Sequence, residues 1–139
     1  MSRIAKVVYT AKTKTTGGRE KGASRSSDGR LDIRFSIPGS ARIGANPKQL
    51  LAAGWSASFA SAITVAARER GIVLPAEVRI DAEIDLIVED GRRSLGARLK
   101  AVLPGLDCAV AKAIIAEAAN ICPYSKAMRG NIDIAITLA

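Results

Sequence analysis

Gly44-Ala-Asn-Pro-Lys-Gln-Leu-Leu-Ala-Ala-Gly-Trp-Ser-Ala-Ser-Phe59 opens the longest apolar stretch of this 139-residue chain. Asn46 can cap a helix whose first residue is Pro47, a position where the missing N–H is no loss. Gly71 can close the other end in a left-handed conformation, so the expected helix runs over 47–70. Its middle, 50–67, is almost free of charge on every face, the pattern of a helix buried all round. Ser56, Ser58 and Ser61 then fall in or near the interior. The same stretch is rich in Ala and Ser, which fits a buried helix of a soluble protein, and no membrane insertion is expected.

On the N-terminal side, residues 4–12 read as a strand that Gly17-Gly18 breaks. A polar run through Arg30 can form a second, exposed strand, with Asp28-Gly29 as a turn. Residues 31–37 alternate apolar and polar with period two, a half-buried strand ended by Pro38-Gly39. On the C-terminal side, 78–88 and 93–103 alternate around Glu89-Asp90-Gly91, which predicts a hairpin. Asp107 can cap a helix over 108–121 that Pro123 ends, and 131–138 alternates again as a last strand. The element order is βββ-α-ββ-α-β, an α+β class in one domain over 1–139.

Residues 1–10 mix Arg3 and Lys6 with short apolar pieces and present no continuous apolar core of a signal peptide, so the expected location is cytoplasmic. The chain contains no histidine, which removes His-based acid–base chemistry, Ser-His-Asp triads and His-containing zinc sites together. Two cysteines, Cys108 and Cys122, are a poor metal site by themselves, and no metal or organic cofactor is implied. On one helix they would stand fourteen positions apart, about 21 Å at helical rise. Cys108 reads as buried filler. Of the net charge of +8, residues 1–42 hold ten Lys and Arg against Glu20, Asp28 and Asp32, a surplus of seven. Such a surface can attract nucleic acid, but no stacking motif or recognition helix accompanies it, so nucleic-acid binding ranks last.

Redox thiol chemistry needs one sulfur held as thiolate by a cation or helix terminus and a second placed to capture it once oxidised. The chain offers a cation and one thiol. Four pieces in register carry a resemblance: Gly17-Gly-Arg-Glu20, Asn46-Pro-Lys-Gln-Leu-Leu-Ala-Ala-Gly54, Trp55-Ser-Ala-Ser-Phe59, and Cys122-Pro-Tyr-Ser-Lys126 followed by Arg129-Gly-Asn131. Together they resemble the organic hydroperoxide resistance (Ohr) proteins of the OsmC-like superfamily. That resemblance implies antiparallel sheets wrapped around central helices in an intertwined homodimer. The small residues Ala52, Ala53, Gly54, Ala57 and Ala60 would permit the close helix approach such a core needs.

The resemblance also implies thiol-dependent reduction of alkyl and fatty-acid hydroperoxides in the oxidative stress response. Arg19 matches the arginine that stabilises the reactive thiolate, and Cys122 matches the resolving cysteine, whose disulfide a lipoyl-bearing protein reduces. Ser58 stands where the peroxidatic cysteine belongs, and Lys48 where a glutamate usually holds the arginine. A serine hydroxyl cannot pass through sulfenic acid, so the chain as written is expected to be inactive as a peroxidase. Trp55, Phe59 and Tyr124 read equally as core or as the wall of an apolar channel for the hydroperoxide. The rival reading is a non-catalytic protein that binds a lipid-like or other acidic small molecule in that channel, with Lys48 and Arg19 at its mouth. Ser58 itself reads as a packing residue bonded back to a carbonyl one turn earlier.

Overall fold

Asp90 and Gly91 both adopt positive φ, 50° and 74°, the combination that closes a two-residue hairpin with the twist of its flanking strands. In the computed structural model of the chain, which describes residues 5–139, this turn joins β4 (Arg79–Glu89) to β5 (Arg92–Val102) in an unbroken antiparallel register. The remaining elements are β1 (Thr13–Thr16), β2 (Ala23–Ser26), β3 (Asp32–Arg34), α1 (Pro47–Glu69), α2 (Cys108–Ile121), α3 (Pro123–Met128) and β6 (Asp133–Leu138). The chain divides into two compact units, residues 1–47 and 48–139.

In the first unit β1, β2 and β3 form a three-stranded antiparallel meander. The turn between β1 and β2 carries Arg19 and closes on Gly22, whose N–H bonds the Gly18 carbonyl at 2.7 Å. A Cβ on Gly22 would stand 2.4 Å from the Thr16 carbonyl oxygen and 2.5 Å from that of Gly18, so only glycine fits there. The Gly22 carbonyl in turn accepts from Phe35 N–H at 2.9 Å. Among the described residues of this unit Phe35 is the one buried large apolar side chain, and Ser24 and Ser36 are buried as well.

Two expectations for this region change. Over 5–12 there is no strand, and Val7, Val8 and Tyr9 are 80%, 89% and 77% exposed; Ile4, where the expected strand begins, lies outside the described residues. A strand needs a partner edge, and β1 pairs with β2 starting only at Thr13. The strand expected over 31–37 is cut to three residues plus an isolated parallel bridge from Phe35 to Ala45.

The second unit holds one apolar cluster. Trp55, Phe59 and Ile63 from α1 meet Leu99 from β5, Ile114 from α2 and Cys122, all fully buried. α1 ends as expected at Gly71 (φ 68°), with Gly71 N–H on Arg68 O and Ile72 N–H on Ala67 O, the paired bonds of a Schellman motif. The buried positions Trp55, Phe59, Ala62, Ile63, Ala66 and Ala67 make a single stripe at helical spacing. The all-round burial expected for this helix is therefore not met within the single chain: Ala53, Ala57, Ser61 and Thr64 on other faces are exposed. α1 has the length and mean hydropathy of a membrane span, 1.5 over 18 residues, but a third of that stretch is buried in the chain's own core.

Asp107 caps α2 as expected, its carboxylate accepting from Ala109 N–H at 3.2 Å. The expected last strand forms as β6 but runs parallel to β5, from Gly96↔Asp133 to Ala101↔Leu138, so this sheet is mixed rather than purely antiparallel. The reason is the helical crossover between them, since parallel neighbours require a long connection on one face. Part of that crossover is α3, which the sequence reading did not anticipate. Pro123 ends α2 and also sits at the first position of the new helix, after Cys122 turns the chain with an extended ψ of 119°. On the other sheet face Arg98 bonds both Asp85 oxygens, at 2.6 and 2.8 Å, and Glu83 at 3.2 Å, a charged and exposed surface.

Candidate functional site

The second unit brings Ser58 and Cys122, 64 residues apart in sequence, into contact: Ser58 Oγ and Cys122 Sγ are 3.4 Å apart. Ser58 projects from the middle of α1, and Cys122 sits at the joint where α2 stops and α3 begins. Ser58 is half-buried and Cys122 is buried completely. The residue that bonds back to carbonyls one turn earlier is Ser56, on Ala52 O at 2.7 Å and Ala53 O at 3.2 Å. Ser58 faces the sulfur instead, and Ser61 is exposed.

A second polar contact crosses the same joint. Trp55, one turn before Ser58, donates its indole N–H to the Ser125 hydroxyl at 3.0 Å. Both side chains are buried, so the bond satisfies a donor that would otherwise be stranded in the apolar cluster. Ser125 had no role in the sequence reading. The available signal was a single tryptophan in an expected core, which needs an acceptor from elsewhere in the chain.

Burial by itself pushes the Cys122 thiol up. The Ser58 hydroxyl, the backbone N–H and hydroxyl of Ser125 and the backbone N–H of Tyr124 together outweigh it and hold the thiol below its ordinary value. No side-chain capping bond forms from Cys122 to the first turn of α3, and the N–H dipoles of that turn favour the thiolate over the thiol.

Phe59 is buried in the cluster, while Trp55 is both core and hydrogen-bond donor. Tyr124 is 40% exposed, and its hydroxyl oxygen lies 3.2 Å from where a Cβ on Gly54 would stand, so Gly54 gives this ring its place beside α1. Lys48, in the first turn of α1, is half-buried. Arg19 belongs to the first unit, on the turn closed by Gly22, and pairs with its neighbour Glu20 at 3.6 Å. Cys108, expected as buried filler, is exposed at the first position of α2; position one of a helix on the chain's outside has nothing packed over it. Among the described residues there is no group of three or more His, Cys, Asp or Glu that could hold a metal ion.

Surface grooves of about 340 to 590 Å³ lie on each of the two units, and Trp55, Ser58, Phe59, Cys122 and Tyr124 line none of these. Chemically the Ser58–Cys122 contact can stabilise a thiolate. With oxygen at position 58 it cannot close a disulfide, although two sulfurs placed there would need little movement to reach bonding distance.

The model of OsmC-like proteins matches residues 37–137. The chain is 41% identical, over the full length of both, to the organic hydroperoxide resistance protein of Xanthomonas axonopodis pv. citri. Against organic hydroperoxide resistance protein OhrB of Bacillus subtilis it is 35% identical over 94% of this chain and 98% of that one. Among solved structures, an organic hydroperoxide resistance protein from Legionella pneumophila superposes with a TM-score of 0.90 at 36% identity, covering 96% of this chain and 99% of that one. The B. subtilis OhrB structure follows at 0.88 and 36%, covering 96% and 100%. A family model over most of the chain, full-length relatives and a shared fold lead to one conclusion: this protein belongs to the organic hydroperoxide resistance (Ohr) proteins of the OsmC-like family.

Proposed function

We propose that this chain is an Ohr-type hydroperoxide reductase scaffold, one domain over 1–139, whose peroxide-cleaving step is disabled by serine at position 58. The observation that carries the reading is the 3.4 Å approach of Ser58 Oγ to Cys122 Sγ. A thiolate at 58 would attack the distal hydroperoxide oxygen, breaking the O–O bond and releasing the alcohol, and the Cys122 thiol would then capture the resulting sulfenic acid as a disulfide with loss of water, with Arg19 supporting the anion. A lipoyl-bearing protein would then reduce that disulfide. With an alcohol at 58 the first bond never forms, and Lys48 adds a second cation where the family carries a carboxylate.

The decisive experiment is Ser58→Cys. The chain as it stands should consume cumene hydroperoxide at background rate with a dithiol reductant. The variant should exceed it by roughly 10³-fold or more, the scale on which loss of a nucleophile acts. Strong turnover by the Ser58 protein would refute the reading.

The same reading includes an intertwined homodimer. It is supported by apolar side chains left in water, Val7, Val8 and Tyr9 in the first unit and Val73 in the second, and by the uncovered faces of α1. Light scattering that finds a stable monomer at micromolar concentration would remove this part.

A further inference from the structure

The turn that carries Arg19 ends at Gly22, whose N–H bonds the Gly18 carbonyl at 2.7 Å and whose carbonyl accepts from Phe35 N–H at 2.9 Å. A carbonyl oxygen has two lone pairs. The second one on Gly22 is met by Arg42, whose Nη2 lies 3.4 Å away. Arg42 Nε donates to the Phe35 carbonyl at 2.8 Å. One guanidinium thus binds both members of the Gly22–Phe35 pair, 20 and 7 positions away in sequence.

The Arg42 end of this bridge is itself anchored. Arg42 N–H bonds Ser40 Oγ at 3.1 Å, and Ser36 Oγ donates to the Gly44 carbonyl at 3.0 Å. Ala45 N–H bonds Arg34 O at 2.9 Å, and Ser36 N–H bonds Ala45 O at 3.0 Å. A Cβ on Gly44 would stand 2.7 Å from the Arg34 carbonyl oxygen, so this loop closes tightly on itself. Arg19, by contrast, pairs with Glu20 at 3.6 Å, with 38% and 62% of the two side chains exposed, a contact that holds its head group weakly. The place of Arg19 is therefore set by its backbone, which is held through Gly22.

We propose that Arg42 is a positioning residue for Arg19, stapling the Gly22 end of the Arg19 turn to the loop over 35–44; this rests on the reading above in which Arg19 supports an anion at position 58. Arginine suits the task because its planar, permanently charged fork reaches two carbonyls from one rigid group. Lysine would carry the same charge without the fork. Arg42 takes no part in the chemistry itself, and its effect passes through Arg19.

The test has two arms. In the chain as it stands, Arg42→Ala should speed amide exchange at Gly22 and Phe35 by roughly fivefold or more and leave the buried Ile63 of α1 unmoved. In Ser58→Cys, Arg42→Ala should lower kcat/KM for cumene hydroperoxide by about tenfold. It should also move the acid limb of the pH profile upward, as Arg19→Ala does, because a thiolate deprived of its cation forms at higher pH. Adding Arg42→Ala to Arg19→Ala should cost less than about twofold. Arg42→Lys should restore little in either arm.

Unchanged exchange at Gly22 and Phe35 overturns the proposal. So does an equal loss from Arg42→Ala with and without Arg19, an acid limb that stays in place while the plateau falls, or full recovery by Arg42→Lys. Should Arg42→Ala fail to fold, Arg42→Gln replaces it in both arms. Exchange is read on the Ser58 protein without hydroperoxide, so it decides the staple even where Ser58→Cys shows no turnover, an outcome that counts against the proposed function instead.

Discussion

Residues 1–47 and 48–139 solve the folding problem with different resources. The second unit has a continuous apolar cluster drawn from α1, β5 and α2 with Cys122 within it. The first has short strands, one buried aromatic at Phe35, most of the chain's positive surplus, and apolar side chains exposed at Val7, Val8 and Tyr9. The contrast teaches that the thiol end of the proposed chemistry rests on a continuous apolar cluster, whereas Arg19 rides on a turn held by backbone bonds around Gly22. In the proposed dimer, a second copy would supply the burial that the first unit lacks.

The comparison breaks most visibly at its two buried phenylalanines. Phe59→Ala, in the large cluster, should destabilise the protein by about 3–5 kcal/mol, and Phe35→Ala, outside that cluster, by clearly less. Denaturant unfolding of both variants checks this. Equal losses would mean that the first unit has a core as consequential as the second. A smaller effect sharpens the claim that the second unit is locally self-consistent: Asp107→Ala should remove the α2 cap at about 1 kcal/mol by the same measurement.

The smallest effect is a pH dependence. The Cys122 thiol is held below its ordinary value of 9.0, so the folded state sheds that proton before the unfolded chain does. Its contribution to stability is therefore present above the unfolded midpoint and is lost as pH falls through the folded one. Comparing unfolding midpoints at neutral and mildly alkaline pH for the parent and Cys122→Ala should show a gain in the parent that the variant lacks. A parallel pH response in both would place no preferential stabilisation on the thiolate.

Much of the second unit was legible because its signals are short-range. Pro47 and Gly71 bracket α1, Asp107 and Pro123 bracket α2, and the turn at Asp90-Gly91 sets the hairpin register, each acting within a few residues of where it is read. The strand expected at 4–12 shows the limit of such reading. Val7, Val8 and Tyr9 carry strand propensity, but propensity supplies no partner edge, and no strand forms in the described part of that segment. α3 lies beyond such reading because Pro123 signals the stop of α2 and is equally a favoured first residue of a new helix. The site divides the same way: Ser58, Cys122 and Trp55 were nameable from the resemblance, but Ser125 acquires its role only through a bond spanning 70 residues.

By itself, then, the sequence determined where the helices and the long hairpin begin and end, the absence of histidine chemistry, and the family, because caps, turns and motif order are local properties of the chain. Tertiary structure decided that β6 runs parallel to β5, that α1 buries one stripe and not its whole circumference, and that Ser58 meets Cys122 while Trp55 meets Ser125. Those outcomes depend on which surfaces are brought together to leave water and on which buried donors must find acceptors. Both conditions are met between residues far apart in the chain, where no local pattern reaches.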